Sequence, residues 1–311
     1  MSRTNGHLGF IEPQLPTLVD QPPFGDDWIH EIKHDGYRTL FVIDNGLPRA
    51  YTRNGFNWSE RYPGLVRAAA KLNCRSAIID GEVIVQDENG VSDFDALRSA
   101  IRWHPERLIF YAFDLLHLNG KDLREETLSS RRTKLNDLIG GLPRSPLQFS
   151  EDFTDGGGSL FRACVEHGLE GIVSKLSSSR YRSGRTKTWL KTKCFTESAF
   201  VIIGTDRDRK TGAVRALLAR TDDQGLIYAG PAFIVLAGSE REDFRTRLEC
   251  IKVERCPIPK LRIPDARWIN PRLVVRVRHL AGTKYLRHRG VRPKDRGLPF
   301  SPSRNRSGYK H

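Results

Sequence analysis

The octapeptide at residues 31–38, Glu-Ile-Lys-His-Asp-Gly-Tyr-Arg, lies between two segments that have the pattern of β-strands. Residues 28–33 alternate in polarity with a period of two, as the side chains of a half-buried strand do. Asp35-Gly36 is a turn signal, and strand-like sequence resumes from Arg38 to Ile43. The pattern predicts two strands joined by a tight bend that carries a lysine, Lys33, between carboxylates. A lysine amine is a good nucleophile only where its surroundings favour the uncharged form.

The composition is that of a globular protein with a strong positive charge. A length of 311 residues suggests about two domains. Lys and Arg number 51 against 37 Asp and Glu, which gives a formal net charge of +14. A soluble chain this basic most often binds a polyanion, and nucleic acid is the first candidate. The alternative is a charge that serves solubility alone.

The five cysteines are scattered and include no C-x-x-C pair. This argues against a disulfide framework or a zinc site, and we interpret all five as small apolar residues in a reducing compartment. No apolar run approaches the roughly 18 residues that a membrane helix needs, and the N-terminus lacks the apolar core of a signal peptide. We therefore expect a cytoplasmic protein, or a nuclear one in a eukaryote, with no membrane partner.

The first two thirds of the chain predict an α+β domain built on antiparallel sheets. Residues 1–27 are rich in Pro and Gly and are expected to form an extended arm. Residues 28–195 mix short strands with helical patterns near 60–72, 125–139 and 159–167, without a clean βαβ repeat. That mixture favours an antiparallel α+β architecture over a doubly wound sheet.

The remainder predicts a small β-barrel. Strand-like runs occur at 199–204, 214–220, 226–229 and 272–278, and one helical pattern covers 240–252. Such a set suits an OB-fold, which we assign to residues 196–300. Residues 301–311 are basic and rich in Ser, and we expect them to form a flexible tail.

Six short segments carry most of the chemically useful side chains. They are Glu31–Arg38, Arg53-Asn54-Gly55 in a turn, Asp80-Gly81-Glu82 between two short strands, Phe113-Asp114 at the end of an apolar strand, Glu170–Lys175 at the start of a strand, and Lys191-Thr192-Lys193. Taken singly, each has an ordinary structural explanation, such as an exposed strand face, a turn or a core aromatic. Their joint occurrence at bends and strand ends favours a common site.

The residue types fit nucleotidyl transfer to a lysine. Lys191 and Lys193 would supply a positive field that favours an uncharged amine on Lys33 and would hold an α-phosphate. Glu82 and Glu170 offer oxygen ligands for a divalent ion.

A nucleotide would need further contacts, and the same segments provide them. Phe113 offers a ring to cover a purine, and Glu31 or a backbone group near it could accept from an exocyclic amine. Arg38 and Arg53 are forked donors suited to ribose and phosphate oxygens.

The chain resembles the ATP-dependent DNA ligases of the covalent nucleotidyltransferase superfamily, and most of all the ligase domain of bacterial end-joining ligase D and related stand-alone bacterial ligases. The resemblance rests on Phe10–Pro13, Trp28–Arg38, Asp80-Gly81-Glu82, Phe113–Leu116, Glu170–Lys175, Tyr181–Arg185 and Trp189–Cys194. It extends to about residue 295 and is most specific within 28–194.

The resemblance implies a role for each candidate residue. Lys33 would form a lysyl-AMP phosphoramidate from ATP. The other implied contacts are Glu31 and Phe113 to adenine, Arg38 and Arg53 to ribose and phosphate, Glu82 and Glu170 to ribose or to Mg²⁺ or Mn²⁺, and Lys191 and Lys193 to the α-phosphate, with Lys175 joining them. The AMP would pass to the 5′-phosphate of a nick, and the 3′-hydroxyl would then expel it.

The barrel of such ligases carries a last basic motif, typically Arg-x-Asp-Lys. The matching residues here read Arg292-Pro293-Lys294-Asp295, so the acidic and basic positions are exchanged and a proline intrudes. The roles of Arg292 and Lys294 therefore stay open. The resemblance also implies a rotation of the barrel about a hinge at 194–199.

The expected partner is nicked double-stranded DNA, held weakly and in a salt-sensitive manner. The resemblance makes Ku or another repair protein a candidate partner, and implies a monomer in the bacterial cytoplasm associated with the nucleoid. The sequence leaves the repair pathway, the preferred metal ion and the choice of nicks or double-strand ends open.

Two other functions remain. An RNA ligase or capping guanylyltransferase would share the Lys-x-Asp-Gly core, although Glu31 favours ATP over GTP. A binding module that has lost catalysis would share the fold, although the candidate residues Lys33, Glu82, Glu170, Lys191 and Lys193 are all present.

Overall fold

The computed structural model divides the chain into two compact units, with the boundary between Cys194 and Phe195. The residues it describes are 7–141, 145–153, 156–223, 225–234, 238–280 and, for the backbone alone, 290–293. No helix within these ranges is both long and apolar enough to cross a membrane. The tail at 301–311 lies outside the described residues.

The described strands of the first unit are β1 (Gln14–Val19), β2 (Trp28–Ile32), β3 (Tyr37–Asp44), β4 (Leu47–Thr52), β5 (Ala77–Ile84), β6 (Ile109–Leu118), β7 (Lys121–Asp122), β8 (Leu147–Phe149), β9 (Asp152–Phe153), β10 (Gly171–Leu176) and β11 (Gly184–Lys193). Its helices are α1 (Pro63–Ala69), α2 (Phe94–Trp103), α3 (Leu128–Ile139) and α4 (Gly157–Glu166). Two 3₁₀ turns cover Ser59–Arg61 and Pro105–Arg107.

Two sheets form this unit. One has the order β1-β11-β10-β2-β9 and the other the order β4-β3-β5-β6-β7, with β8 added beside β6. Only the β1–β11 and β6–β8 pairings among the described strands are parallel. The predicted α+β class with antiparallel sheets is confirmed at this level. Strand β1 lies within the segment that the sequence predicted as an extended arm.

The bend after Lys33 connects the two sheets, because β2 belongs to the first sheet and β3 to the second. Gly36 sits at the crossing, where a β-carbon would come within 2.2 Å of the carbonyl oxygen of Val83. Only glycine fits so close to a neighbouring backbone. The motif therefore places Lys33 at the junction of the sheets.

The second sheet is packed on both faces. One core cluster joins it to the helices through Leu65 of α1, Leu97 of α2 and Leu135 of α3. The other includes Leu40 and Trp189, which come from β3 and β11 and so from different sheets. This arrangement holds the two sheets against each other beside the bend.

Two sequence predictions about local structure were wrong. Asp80-Gly81-Glu82 is not a turn between strands but lies inside the continuous strand β5. Gly81 is needed there because a β-carbon would come within 2.3 Å of the ring of Phe110 and 2.5 Å of the carbonyl oxygen of Tyr111. Phe113-Asp114 lies in the middle of β6 rather than at a strand end.

Helix α2 was not predicted, although its sequence carries a start signal. The side chain of Asp93 accepts a hydrogen bond from the backbone N–H of Ala96 at 2.9 Å and so caps the first turn. Phe94, Leu97 and Ile101 follow at helical spacing, and Leu97 is fully buried.

The second unit contains β12 (Phe195–Arg207), β13 (Val214–Asp222), β14 (Gly225–Phe233), α5 (Gly238–Cys250), β15 (Arg267–Trp268), β16 (Val274–Leu280) and β17 (Gly290–Pro293). The sheet order is β14-β13-β12-β16-β17, with β15 beside β12. All of these pairings are antiparallel. Phe200, Leu218 and Val277 of the sheet form a core with Phe244 of α5.

The segment predicted to be a hinge, 194–199, is mostly strand. Phe195–Ala199 belong to β12 and pair with residues of β16 from Leu280 to Arg276. Cys194 alone lies between β11 and β12.

Candidate functional site

A cavity of about 200 Å³ opens at the junction of the two sheets of the first unit. Its lining includes eight of the residues predicted from sequence: Glu31, Lys33, Arg38, Arg53, Glu82, Phe113, Lys175 and Lys191. Glu170 and Lys193 are not in the lining, but Glu170 pairs with Lys33, and Lys193 pairs with Glu170. Strands that are distant in sequence therefore bring all ten residues to one place.

Lys33 follows β2 and stands within a cluster of lysines around one carboxylate. Its backbone N–H donates to the carbonyl of Gly171 at 2.9 Å, and its amine forms an ion pair with Oε2 of Glu170. The amine of Lys193 lies 2.9 Å from Oε1 of the same carboxylate. Burial acts to raise the pKa of Glu170, but Lys33 and Lys193 outweigh it and hold the pKa low.

Lys191 adds a further cation to this cluster. It lies two residues before Lys193 on β11, and the cavity reaches it. Burial lowers the pKa of Lys191, and the charges of Lys193 and Lys33 lower it further. These charges favour the uncharged form of Lys191, and the effect predicted for Lys33 itself stays a prediction.

Arg38 is fixed by a buried carboxylate. Its Nε and Nη2 donate to the two oxygens of Asp80 at 2.5 and 2.6 Å, and Nη2 also donates to the carbonyl of Gln14 at 3.3 Å. The hydroxyl of Tyr181 donates to Asp80 at 2.7 Å. Burial acts to lower the pKa of Arg38, and Asp80 raises it above its ordinary value. The Nη1 group makes no hydrogen bond to any described residue, so its donors remain for a ligand.

Glu31 is buried in the wall of the cavity and has three polar neighbours. Its Oε1 lies 2.8 Å from Nη1 of Arg132 and 2.6 Å from the amine of Lys175, and Ser150 donates to Oε2 at 3.0 Å. Lys175 is fully buried, and desolvation lowers its pKa to about 8 despite the Glu31 charge.

Phe113 lies between cations and a second aromatic ring. The guanidinium of Arg38 is 4.5 Å from its ring centroid and the amine of Lys175 is 4.2 Å from it. The indole of Trp189 meets the ring edge-on at 6.1 Å. Cations over an aromatic face are attractive, so this cluster holds one wall of the cavity rigid.

Glu82 lines the cavity without a hydrogen bond or ion pair to any described side chain. Burial raises its pKa to about 7, more than the charges of Lys33 and Arg38 lower it. A carboxylate that is poorly compensated in this way suits an added cation. The described residues contain no group of three or more His, Cys, Asp or Glu side chains arranged for a metal. A divalent ion at Glu82 would need phosphate oxygens of a ligand to complete its coordination, as Mg²⁺ often does.

His34 was not predicted from the sequence, although it follows Lys33 directly. Its ring stacks on Tyr111 with centroids 4.2 Å apart, and the Tyr111 hydroxyl accepts a hydrogen bond from Gln86 at 3.0 Å. Burial and the charge of Lys33 lower the pKa of His34 to about 4. The imidazole is therefore neutral near pH 7 and adds no charge beside the amine.

Two exposed arginines lie at the mouth of the cavity. Arg53 occupies the predicted turn after β4, and its backbone N–H donates to the carbonyl of Arg38 at 3.1 Å. Arg185, whose role was not predicted, donates from Nη1 to the carbonyl of Pro16 at 3.0 Å. Both guanidinium groups are accessible to phosphate groups of a ligand.

Sequence reasoning missed the partners that hold the predicted residues in place. Asp80 lies in one of the predicted segments but was given no role, and Arg132 and Ser150, which bind Glu31, carry no signal of their own. The only hint was the pair of adjacent arginines, Arg131 and Arg132, in a helical pattern whose other residues are ordinary. Of the predicted barrel motif, Arg292 is described by its backbone alone. Lys294 lies outside the described residues.

Comparison with known families places the cavity in context. The family described as ATP dependent DNA ligase domain matches residues 19–193. The chain is 36% identical over 287 residues to the multifunctional non-homologous end joining protein LigD of Pseudomonas aeruginosa. The matched region covers 88% of this chain and 34% of that protein. It is 30% identical over 279 residues to the Mycobacterium tuberculosis LigD, with 86% and 36% covered. The chain thus spans about a third of the length of these relatives.

Two solved structures match the chain over 90% of its length. The ligase domain of M. tuberculosis LigD matches with a TM-score of 0.55 and 28% identity, over 90% of this chain and 93% of that one. A mycobacterial DNA ligase D complexed with ATP and MES matches with a TM-score of 0.56 and 29% identity, over 90% and 94%.

Proposed function

The chain belongs to the ATP-dependent DNA ligase family, and from that premise we propose that it seals nicks in DNA through an AMP carried on Lys33. One observation carries the proposal: the amine of Lys33 lies at a cavity beside Glu170, Lys191 and Lys193, and Glu31 and Phe113 line the same cavity. A nucleotide placed there would have its base beside Glu31 and Phe113 and its α-phosphate among the lysines.

The first step loads the lysine. The uncharged amine of Lys33 attacks the α-phosphorus of ATP, a P–N bond forms, and the P–O bond to pyrophosphate breaks. Glu170 contacts the amine and is placed to receive its proton. Lys191 and Lys193 offset the negative charge that builds on the phosphate oxygens.

Two further steps seal the strand. An oxygen of the 5′-phosphate at the nick attacks the phosphorus of the bound AMP, the P–N bond breaks, and the amine of Lys33 regains its proton. The 3′-hydroxyl then attacks the activated 5′-phosphate, loses its proton, and displaces AMP. Arg53 and Arg185 at the cavity mouth are exposed and can hold phosphates of the DNA during these exchanges.

We assign a divalent ion, Mg²⁺ or Mn²⁺, to Glu82 together with phosphate oxygens of the nucleotide. When bound, such an ion would neutralise charge on the leaving pyrophosphate. The unpaired carboxylate and raised pKa of Glu82 support this assignment. Glu170, the other predicted ligand, is already paired with two lysines, so Glu82 is the better candidate.

We further propose that residues 28–195 form the adenylation domain and residues 196–300 an OB-fold. The sheet order β14-β13-β12-β16-β17, with α5 between β14 and β15, supports this assignment, since pairing of the two outer strands would close a five-stranded barrel. The hinge would then centre on Cys194, the residue between β11 and β12.

We also propose a biological setting for this activity. The names of the relatives as non-homologous end joining proteins support a role in DNA end repair with Ku or a similar partner. Their bacterial origin supports action on nucleoid DNA in the cytoplasm, and the resemblance supports a monomer.

Incubation of the full chain with α-labelled ATP or GTP and Mg²⁺ tests the loading step. We expect acid-labile label on the protein from ATP, little from GTP, and none on Lys33→Ala. The matched control is Lys187→Ala, which removes an exposed lysine of the same strand that carries Lys191 and Lys193. Equal labelling of the wild-type chain and Lys33→Ala would contradict the proposal, and label from GTP alone would indicate capping chemistry.

A further inference from the structure

Arg132 of α3 lies outside all of the sequence segments that form the cavity, yet it binds three of the strands around it. Its Nη1 donates to Glu31 at 2.8 Å and to the carbonyl of Phe113 at 3.3 Å. Its Nη2 donates to the carbonyl of Ser150 and to a carboxylate oxygen of Asp152, both at 2.7 Å. The side chain is 5% exposed. One planar fork therefore sets the spacing between the strand of Glu31 and the strand of Phe113.

The bonds to Glu31 leave it with little acceptor capacity. An ionised carboxylate has about four acceptor positions and no donor. Arg132 occupies one position on Oε1 and Ser150 one on Oε2, and the amine of Lys175 lies against Oε1 as an ion pair at 2.6 Å. About one position remains, on Oε2, for a group that enters the cavity.

We propose that Arg132 is a positioning residue that sets the nucleobase selectivity of the cavity, by holding Glu31 as a fixed carboxylate that can only accept hydrogen bonds. This rests on the proposed function, in which Glu31 faces the base of the nucleotide. Adenine presents an amino group to such an acceptor. Guanine presents a carbonyl oxygen at the same ring position, and two acceptors facing each other in a buried site are unfavourable.

Lys175 holds Glu31 less firmly than Arg132 does, because its amine forms an ion pair with Glu31 but no hydrogen bond of good geometry. Burial lowers the pKa of Lys175 to about 8, so its charge is marginal near neutral pH. A guanidinium stays charged near neutral pH. Burial acts to lower the pKa of Arg132, but Glu31 and Asp152 outweigh it and raise the pKa. Without Arg132, the fork that ties Glu31 to the carbonyl of Phe113 would be lost, and the carboxylate would no longer be held in one orientation toward the base.

The neighbouring Arg131 provides a matched control for a purely structural role. It is fully buried and donates to both oxygens of Asp114 at 2.7 and 2.8 Å, but neither residue lines the cavity. Arg131→Lys should lower the free energy of unfolding, because it removes a buried guanidinium that binds both oxygens of Asp114. It leaves the contacts of Glu31 unchanged. If base selectivity changes in Arg132→Lys but not in Arg131→Lys, the change comes from the positioning of Glu31 and not from lost stability.

The test measures kcat/KM for labelling of the full chain by α-labelled ATP and GTP, in wild type, Arg132→Lys, Glu31→Gln and the double variant. Glutamine replaces the carboxylate, which only accepts hydrogen bonds, with an amide that both donates and accepts. We expect Arg132→Lys and Glu31→Gln each to lower the ATP:GTP ratio by roughly tenfold or more. In the Glu31→Gln background, Arg132→Lys should change the ratio no further. Arg131→Lys should keep the wild-type ratio even where its melting temperature falls.

Three results would overturn the inference. They are an unchanged ratio in a folded Arg132→Lys, an unchanged ratio in Glu31→Gln, and an effect of Arg132→Lys that persists undiminished in the Glu31→Gln background. If Arg132→Lys fails to fold, Glu31→Gln alone decides. If the wild-type chain takes no label from ATP, the proposed function fails. Calorimetric affinities for AMP and GMP in the same variants then decide the base selectivity separately.

Discussion

Glu82 illustrates how a single side chain in this cavity couples function to stability. Its pKa is raised to about 7 because partial burial disfavours the charged carboxylate, and Lys33 and Arg38 offset that effect only in part. The folded protein thus binds this proton more tightly than the unfolded chain does. The stability that protonated Glu82 contributes is fully present below about pH 4.5 and is lost as the pH rises through about 7.

We therefore predict that Glu82→Gln unfolds at a higher temperature than the wild type at pH 8. The gain should be on the order of 2 kcal/mol and should vanish near pH 4, where both side chains are neutral. Thermal denaturation at the two pH values measures it. A gain of the same size at pH 4 would mean that charge burial is not the cause. The variant should also lose divalent-dependent labelling by ATP if Glu82 holds the metal.

Lys193 should act on Lys33 through the carboxylate that they share. In Lys193→Ala, Glu170 would pair with Lys33 alone. The carboxylate would then favour the protonated amine of Lys33, which cannot attack ATP. We predict that labelling by ATP slows by about tenfold or more and that its pH optimum moves upward. Lys187→Ala serves as the control on the same strand. A lower rate with an unchanged pH profile would instead indicate loss of phosphate binding alone.

The residues most readily predicted were those whose role follows from their place in a local segment. Lys33 lies at a bend that needs Gly36, and Glu170 immediately precedes a strand, so both could be expected at an edge where sheets meet. Arg132 and Asp80 could not be assigned in this way. Their roles depend on which side chains lie across from them, and a single sequence does not record those pairings.

At the scale of elements, strand β5 shows why a glycine can mislead. Asp-Gly followed by an acidic residue is typical of a turn, yet here Gly81 is extended and lets the ring of Phe110 approach the backbone. The apolar runs on both sides, Ala77–Ile79 and Val83–Val85, were consistent with one long strand, but the turn signal obscured it. Helix α2 was missed for the opposite reason, because its capping aspartate was not weighed.

Gly81→Ala should therefore be strongly destabilising. Its β-carbon would come within 2.3 Å of the Phe110 ring and 2.5 Å of a backbone oxygen, neither of which can move freely. We predict a loss of about 3 kcal/mol in the free energy of unfolding, measured by urea denaturation. The control is Gly64→Ala in α1, where the nearest neighbour lies 3.9 Å away and alanine favours the helix. Equal effects at both positions would contradict the packing argument.

At the scale of the whole molecule, charge is the property that the composition predicted most directly. A net charge of +14 supports contact with the phosphates of DNA, which releases counterions. We predict that affinity for a nicked duplex falls by roughly tenfold or more between 50 and 200 mM salt. Fluorescence anisotropy with a labelled nicked duplex measures this. Affinity that stays constant over that range would mean that phosphate contacts are few.

If AMP on Lys33 is the intermediate through which DNA is joined, a single-turnover experiment shows it most directly. The labelled protein is freed of ATP and pyrophosphate, then mixed with a nicked duplex that carries a 5′-phosphate. We predict that the label leaves the protein as free AMP while the two strands become one, and that Lys33→Ala joins none. Label that stays on the protein while nicks remain open, or joining by Lys33→Ala, would contradict a lysyl-AMP intermediate at Lys33.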